Sequence, residues 1–265
     1  MIRVLVLIAV TGFLVSIVAL SAAFALGGPE AIARGAWSIG SRGDWGWEDG
    51  GHHDRHGGHR VDGSGPTATR ELAWTGANTL ELDVPADVQF TQAPGPGKLT
   101  ITGPKGAVDQ VTVENGRIHF DRRVRDAGRL TIVMTAPDVT RFDLGGSNRL
   151  TIADYRQDRL EIDLSGDAEV VAAGEAKVVE LDISGSGEAD LGGLVTAGAE
   201  VDISGSGDAT LAPRDWATLE ISGSGEVNLL TRPARLETDI SGAGRIRQGA
   251  PPPAPPAAPA TGKKT

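Results

Sequence analysis

The 265-residue chain contains no cysteine. That excludes a disulfide framework, a thiolate metal site, a thiol nucleophile and a cysteine-linked lipid anchor, so stability rests on core burial and backbone hydrogen bonds. Basic residues are also in deficit: 25 Lys and Arg face 35 Asp and Glu, a net charge of −10. A surplus of acid argues against nucleic acid as a partner, because affinity for its backbone is carried by Lys and Arg. Catalytic signatures are missing as well. No GxSxG, HExxH, P-loop or dinucleotide motif occurs, and the recurrent SGSGE lacks the Lys-Ser/Thr and strand–helix context of a phosphate loop.

What is present is a repeat. One phrase occurs six times: FDLGGSNRLTI (142–152), IDLSGDAEVVA (162–172), LDISGSGEADL (181–191), VDISGSGDATL (201–211), LEISGSGEVNL (219–229) and TDISGAGRIRQ (238–248). Its opening acids, Asp143, Asp163, Asp182, Asp202, Glu220 and Asp239, are spaced by 20, 19, 20, 18 and 19 residues. A fixed period of this size marks a solenoid, in which each unit buries its apolar face only against its neighbours. Within a copy, Leu181 and Ile183 alternate with Asp182 and Ser184, the period of two that defines a strand. Ser-Gly-Ser-Gly between the strands reads as a corner. A leucine-rich horseshoe shares this period but needs a helical second half, and GGLVTAGAE and APRDWAT show no helical periodicity. A parallel β-helix fits better, since about 19 residues at roughly 3.3 Å each make a perimeter of about 60 Å.

The remainder divides by composition. Segment 1–28 holds an uncharged, strongly apolar run of 23 residues (4–26) after Arg3, long enough to cross a bilayer, while Ala23-Phe24-Ala25 makes an A-x-A cleavage site. Cleaved signal peptide and retained membrane anchor both stay open, and each places the rest outside the cytoplasm, in the periplasm or cell envelope. Segment 29–66 is a Gly-, His- and Trp-rich linker containing HHDRHGGH. Its His52, His53, His56 and His59 are candidate ligands for Zn²⁺, Ni²⁺ or Cu²⁺; the alternative is a solvated spacer. Strand-like alternation starts at Thr67 and is irregular at first, with Glu114-Asn115-Gly116-Arg117 as a tight-turn signal. These early strands are expected to form the first turns of a domain spanning 67–249. The tail, 250–265, is too rich in proline to join a ladder or helix and is expected to be disordered.

The run LELDVPADVQF, the VTVENGRIHF hairpin, LTIVMTAPDVTRFDLGGSNRLTI and the SGSG repeats, in that order behind an apolar export segment, resemble the bacterial auto-transporter adhesin head domain (GIN domain) family over roughly residues 71–247. The resemblance implies a fold similar to the right-handed β-helices of pectin lyases, no recognised catalytic residues, and a link to cell adhesion. The expected fold class is therefore all-β: a single-stranded right-handed parallel β-helix with about 19 residues per repeat. One departure stands out. Ala168 occupies the position of Gly187, Gly207 and Gly225, so a differently shaped corner is expected there.

Charge is the candidate working feature. Residues 140–249 carry 20 acids against 10 Lys and Arg, while the rest of the chain balances at 15 against 15. Stacking places Asp163, Asp182, Asp202, Glu220 and Asp239 in one column, and Glu169, Glu188, Asp208 and Glu226 in a second across the corner. Like charges about 4.8 Å apart repel by roughly 1 kcal/mol per pair even in water. Weak divalent-cation binding, serine hydroxyls or splaying into solvent would offset this. A dedicated Ca²⁺ site is not indicated, since the calcium-binding nonapeptide is absent and one carboxylate per rung is sparse. An enzyme acting on polysaccharide is the alternative class, but its active site would be one unrepeated constellation rather than a periodic array. His119 reads as an outward strand residue without a nearby partner, and RRVR (122–125) as a solvent patch. No resident cofactor is expected. The preferred reading is a non-catalytic envelope module that contacts a glycan or another envelope protein.

Overall fold

The computed structural model describes residues 60–75 and 77–249. The apolar segment 1–28, the cluster of His52, His53, His56 and His59, and the Pro-rich tail lie outside these residues. The N-terminal part contributes β1 (Val61–Asp62), β2 (Thr67–Ala73), β3 (Thr79–Leu82), β4 (Ala86–Gln92), β5 (Lys98–Pro104), a helical turn α1 (Lys105–Val108), β6 (Val111–Glu114), β7 (Arg117–Phe120), β8 (Val124–Arg125) and β9 (Leu130–Ala136). The repeats contribute β10 (Arg141–Leu144), β11 (Arg149–Gly166), β12 (Glu169–Gly185), β13 (Glu188–Gly205), β14 (Asp208–Leu211), β15 (Pro213–Gly223), β16 (Glu226–Leu229), β17 (Arg235–Gly242) and β18 (Arg245–Gln248).

Every repeat strand pairs in parallel with its counterpart one copy away, giving an all-β solenoid of about five turns. Period-two alternation sends one set of side chains inward, where equivalent residues stack. Leu80, Phe142, Ile162, Leu181, Val201 and Leu219 form one interior column, and Leu82, Leu144, Leu164, Ile183, Ile203 and Ile221 a second. All twelve are buried. Completely burying such an aliphatic side chain contributes about 1.5–3 kcal/mol relative to leaving it in water. Most of the few aromatic core residues gather at the N-terminal side, with Phe90 and Phe142 edge-to-face at 5.1 Å and Phe142 and Tyr155 at 6.5 Å. The Tyr155 hydroxyl donates to the Arg159 carbonyl at 2.7 Å, which satisfies the one polar atom on that ring.

The early strands form the first turns, as expected, but these turns do not stack in chain order. The rung made by β3 and β4 is flanked on one side by β10 and β11 and on the other by β7 and β9. The chain thus lays its first rung, goes beyond it to build the outer one, and returns. β5 runs antiparallel to both β2 and β9, and β6 antiparallel to β7. These ribbons occupy the backbone donors and acceptors that a bare first rung would leave open. The β6–β7 turn contains Asn115 at φ 50° and Gly116 at φ 87°, the paired positive φ of a type I′ hairpin. Upstream of Thr67, β1 pairs with β8 in parallel, so backbone contacts reach back to Val61.

Candidate binding ladder

The corner that aligns the repeats depends on one glycine column. Gly166, Gly185, Gly205, Gly223 and Gly242 stack in register, all with φ between 85° and 133°. A Cβ on Gly205 would also sit 2.4 Å from the Gly185 carbonyl oxygen. Conformation and space both require glycine here. The second glycine of the motif has a different reason. Gly187, Gly207 and Gly225 are absent from the positive-φ positions, and Ala168 keeps the same backbone bond, with the Glu188 N–H donating to its carbonyl at 2.9 Å. The corner at Ala168 is therefore not reshaped as expected; what the second glycine supplies is room, because a Cβ on Gly207 would lie 2.5 Å from Ile183 Cγ2. Asn148, at the same position one copy earlier, is buried and uses its amide as an internal brace. Its Oδ1 accepts from the Ala86 N–H at 2.8 Å and its Nδ2 donates to the Gly145 carbonyl at 2.8 Å.

Beside this corner run the acids. Asp143, Asp163, Asp182, Asp202, Glu220 and Asp239 are direct register neighbours. On the adjoining face, Glu169, Glu188, Asp208 and Glu226 stack between Arg149 and Arg245. A serine column of Ser165, Ser184, Ser204, Ser222 and Ser241 lies between the two. Two features were not anticipated. Glu161, Glu180 and Glu200 form a third acidic column two residues from the first, so three consecutive rungs present carboxylates in pairs. The first column also continues past the repeats through Glu81 to Arg117. The E-x-D spacing (161/163, 180/182, 200/202) was a visible signal for the third column; the Glu81 extension was not, because it depends on the out-of-order rung.

Arginines bracket the ladder. At the N-terminal side Arg141 pairs with both Glu161 and Asp163, Arg159 pairs with Glu180, and Arg149 holds Glu169 at 2.6 Å. At the other side Arg247 holds Glu226 at 2.8 Å. Between these ends, Asp182, Glu188, Glu200, Asp202, Asp208 and Glu220 form no salt bridge with any described residue. The crowding shows in protonation: burial, then the charges of Asp163 and Asp202, raise the Asp182 carboxyl above the ordinary aspartate value. Asp143 is raised by burial first and by Asp163 and Glu81 next. Among the described residues no group of three or more His, Asp or Glu is arranged to hold a metal ion. His119 is half-buried rather than freely exposed, with Nδ1 buried and unbonded.

A solenoid whose outward chemistry is the same group presented rung after rung defines a class of repetitive β-helix proteins. Within that class, residues 78–233 match the family described as "Putative auto-transporter adhesin, head GIN domain", and the chain belongs to it. The family description places it, coarsely, at the bacterial envelope or outside the cell. Among solved structures, a "putative adhesin" from Bacteroides fragilis NCTC 9343 aligns with a TM-score of 0.56 at 20% identity, covering 71% of this chain and 99% of that one. Another "putative adhesin", from Parabacteroides merdae ATCC 43184, aligns with a TM-score of 0.48 at 16% identity, covering 72% and 99%. The comparison with curated proteins finds no match.

Proposed function

We propose that the protein is a non-catalytic adhesion module of the cell envelope, and that its contact surface is the acidic ladder flanking the serine corner. The observation that carries this reading is the run of unpaired carboxylates at Asp182, Glu200, Asp202 and Glu220 on neighbouring rungs of two adjacent columns, of which only the N-terminal end is neutralised by arginine, Arg141 pairing with Glu161 and Asp163. Stacked carboxylates repel one another, and a partner rich in hydroxyl or cationic groups relieves that repulsion once per rung. Each contact is weak, but a ligand that engages several rungs binds with multiplied avidity. A long glycan with neutral or amino sugars, or a basic strip on another envelope protein, suits such a surface. Divalent cations relieve the same repulsion weakly and without a dedicated site. The export segment delivers the module to the periplasm or envelope, and residues 4–26, where uncleaved, hold it at the inner membrane.

A periodic array distinguishes this from an enzyme, which would isolate one pair of carboxylates with separated pKa values. The test is to pass the full-length protein over immobilised cell-wall and surface glycans. Retention on at least one polymer, with the chain length of that polymer unchanged after prolonged incubation, is the expected result. Shortening of the glycan would establish the enzyme instead.

A further inference from the structure

At the N-terminal end of the solenoid the charge reverses. A cavity of about 630 Å³ is lined there by Arg60, Arg117, Arg123 and Arg125, with His119 and Phe120 also on its wall. Residue 60 from one part of the chain and the stretch 117–125 from another build most of it. β7 carries Arg117 and His119, the following segment carries Arg123 and Arg125, and β1 ties Arg60 to that segment, the Val61 N–H donating to the Arg123 carbonyl at 2.9 Å. Arg122, Val124, Asp83 and Asp121 complete the lining. Carboxylates offset part of this charge: Arg117 pairs with Asp83 and with Glu81, and Asp121 reaches Arg122 at 3.9 Å. Arg123 and Arg125 form no ion pair with any described residue.

We propose that this cavity binds a saccharide carrying a tetrahedral oxyanion, a phosphate or sulfate group. Arg60, Arg123 and Arg125 line the cavity with no ion pair to any described residue; their like charges repel one another, and an oxyanion removes that repulsion. The planar guanidinium fork matches two oxygens of a phosphate or sulfate as it does the two of a carboxylate, but a tetrahedral oxyanion keeps a further oxygen for a second arginine. Half-buried Phe120 adds an apolar ring beside the anion site, a surface against which the non-polar face of a sugar ring packs. The inference does not rest on the acidic ladder, which repels the same ligands and whose first column ends through Glu81 at Arg117, on the wall of this cavity.

Titration calorimetry on the full chain with glucose 6-phosphate, glucose 6-sulfate, inorganic phosphate and glucose tests it. Saturable binding of glucose 6-phosphate or glucose 6-sulfate, tighter than inorganic phosphate, with no binding of glucose, is expected. The relative affinity of the two esters separates phosphate from sulfate. The double variant Arg123→Lys/Arg125→Lys keeps the charge but loses the forks, and should weaken binding about tenfold or more at unchanged melting temperature. Arg214→Lys, on a distant rung, should leave affinity unaltered. The proposal is overturned by absence of saturable binding to both esters, by inorganic phosphate binding as tightly as the esters, or by full affinity in the double lysine variant.

Discussion

Glu226 is held by Arg247, 2.8 Å away, although Arg245 is its direct register partner on the last rung. Both arginines therefore stand at the C-terminal end of the described solenoid, where β17 and β18 have one paired side each among the described strands. The same end exposes apolar side chains: Ile240 is 43% exposed, whereas Ile221, its neighbour one rung in, is fully buried.

Charge at an open edge discourages pairing with another chain. Replacing Arg245 with Val and Arg247 with Thr should therefore promote end-to-end oligomers, seen by light scattering as mass rising with concentration. Melting should hardly change, because an exposed ion pair is worth about 0–1 kcal/mol. A variant that remains monomeric at high concentration shows that the arginines do not guard this end.

The corner glycine is the sharpest stability test. Gly205→Val forces a β-branched side chain into φ 133° and into the Gly185 carbonyl, and should cost more than about 3 kcal/mol. Ser206→Ala, at an exposed corner position, should stay within about 0.5 kcal/mol. Equal melting temperatures for the two variants would contradict the stacked-corner account.

Crowding of the acids predicts a pH dependence of definite sign. Asp182 and Asp143 are raised by burial and neighbouring carboxylates, so the folded chain binds their protons more tightly than the unfolded chain does. Their contribution to stability therefore falls as pH rises through the folded-state values and recovers as pH drops toward the ordinary 3.8. Asp182→Asn should raise the melting temperature at pH 7, and its advantage over the unmodified protein should shrink as pH falls toward the ordinary 3.8. An advantage that is constant or grows on acidification would contradict this.

The repeats were legible because solenoid register repeats a local pattern: once Asp163, Asp182 and Asp202 share a phase, their stacking follows. Ala168 misled because glycine at that position can serve either a positive φ or a lack of space, and only the neighbouring Ile183 distinguishes the two. The N-terminal rungs were legible as strands but not in order. Pairing of β3 with β7 and β10 joins segments about 40 to 60 residues apart, and nothing local to Thr79–Leu82 encodes it. The arginine cavity was hidden for the same reason: RRVR looks like a solvent patch until β1 brings Arg60 beside it.

The central claim, that unpaired carboxylates in the middle of the ladder make the contact, is tested most directly by neutralising them. On an array of cell-wall and surface glycans, the full-length protein should be compared with the Asp182→Asn/Glu200→Gln/Asp202→Asn variant. The account predicts loss of glycan binding by the variant at equal or higher melting temperature. Undiminished binding by the folded variant would contradict it.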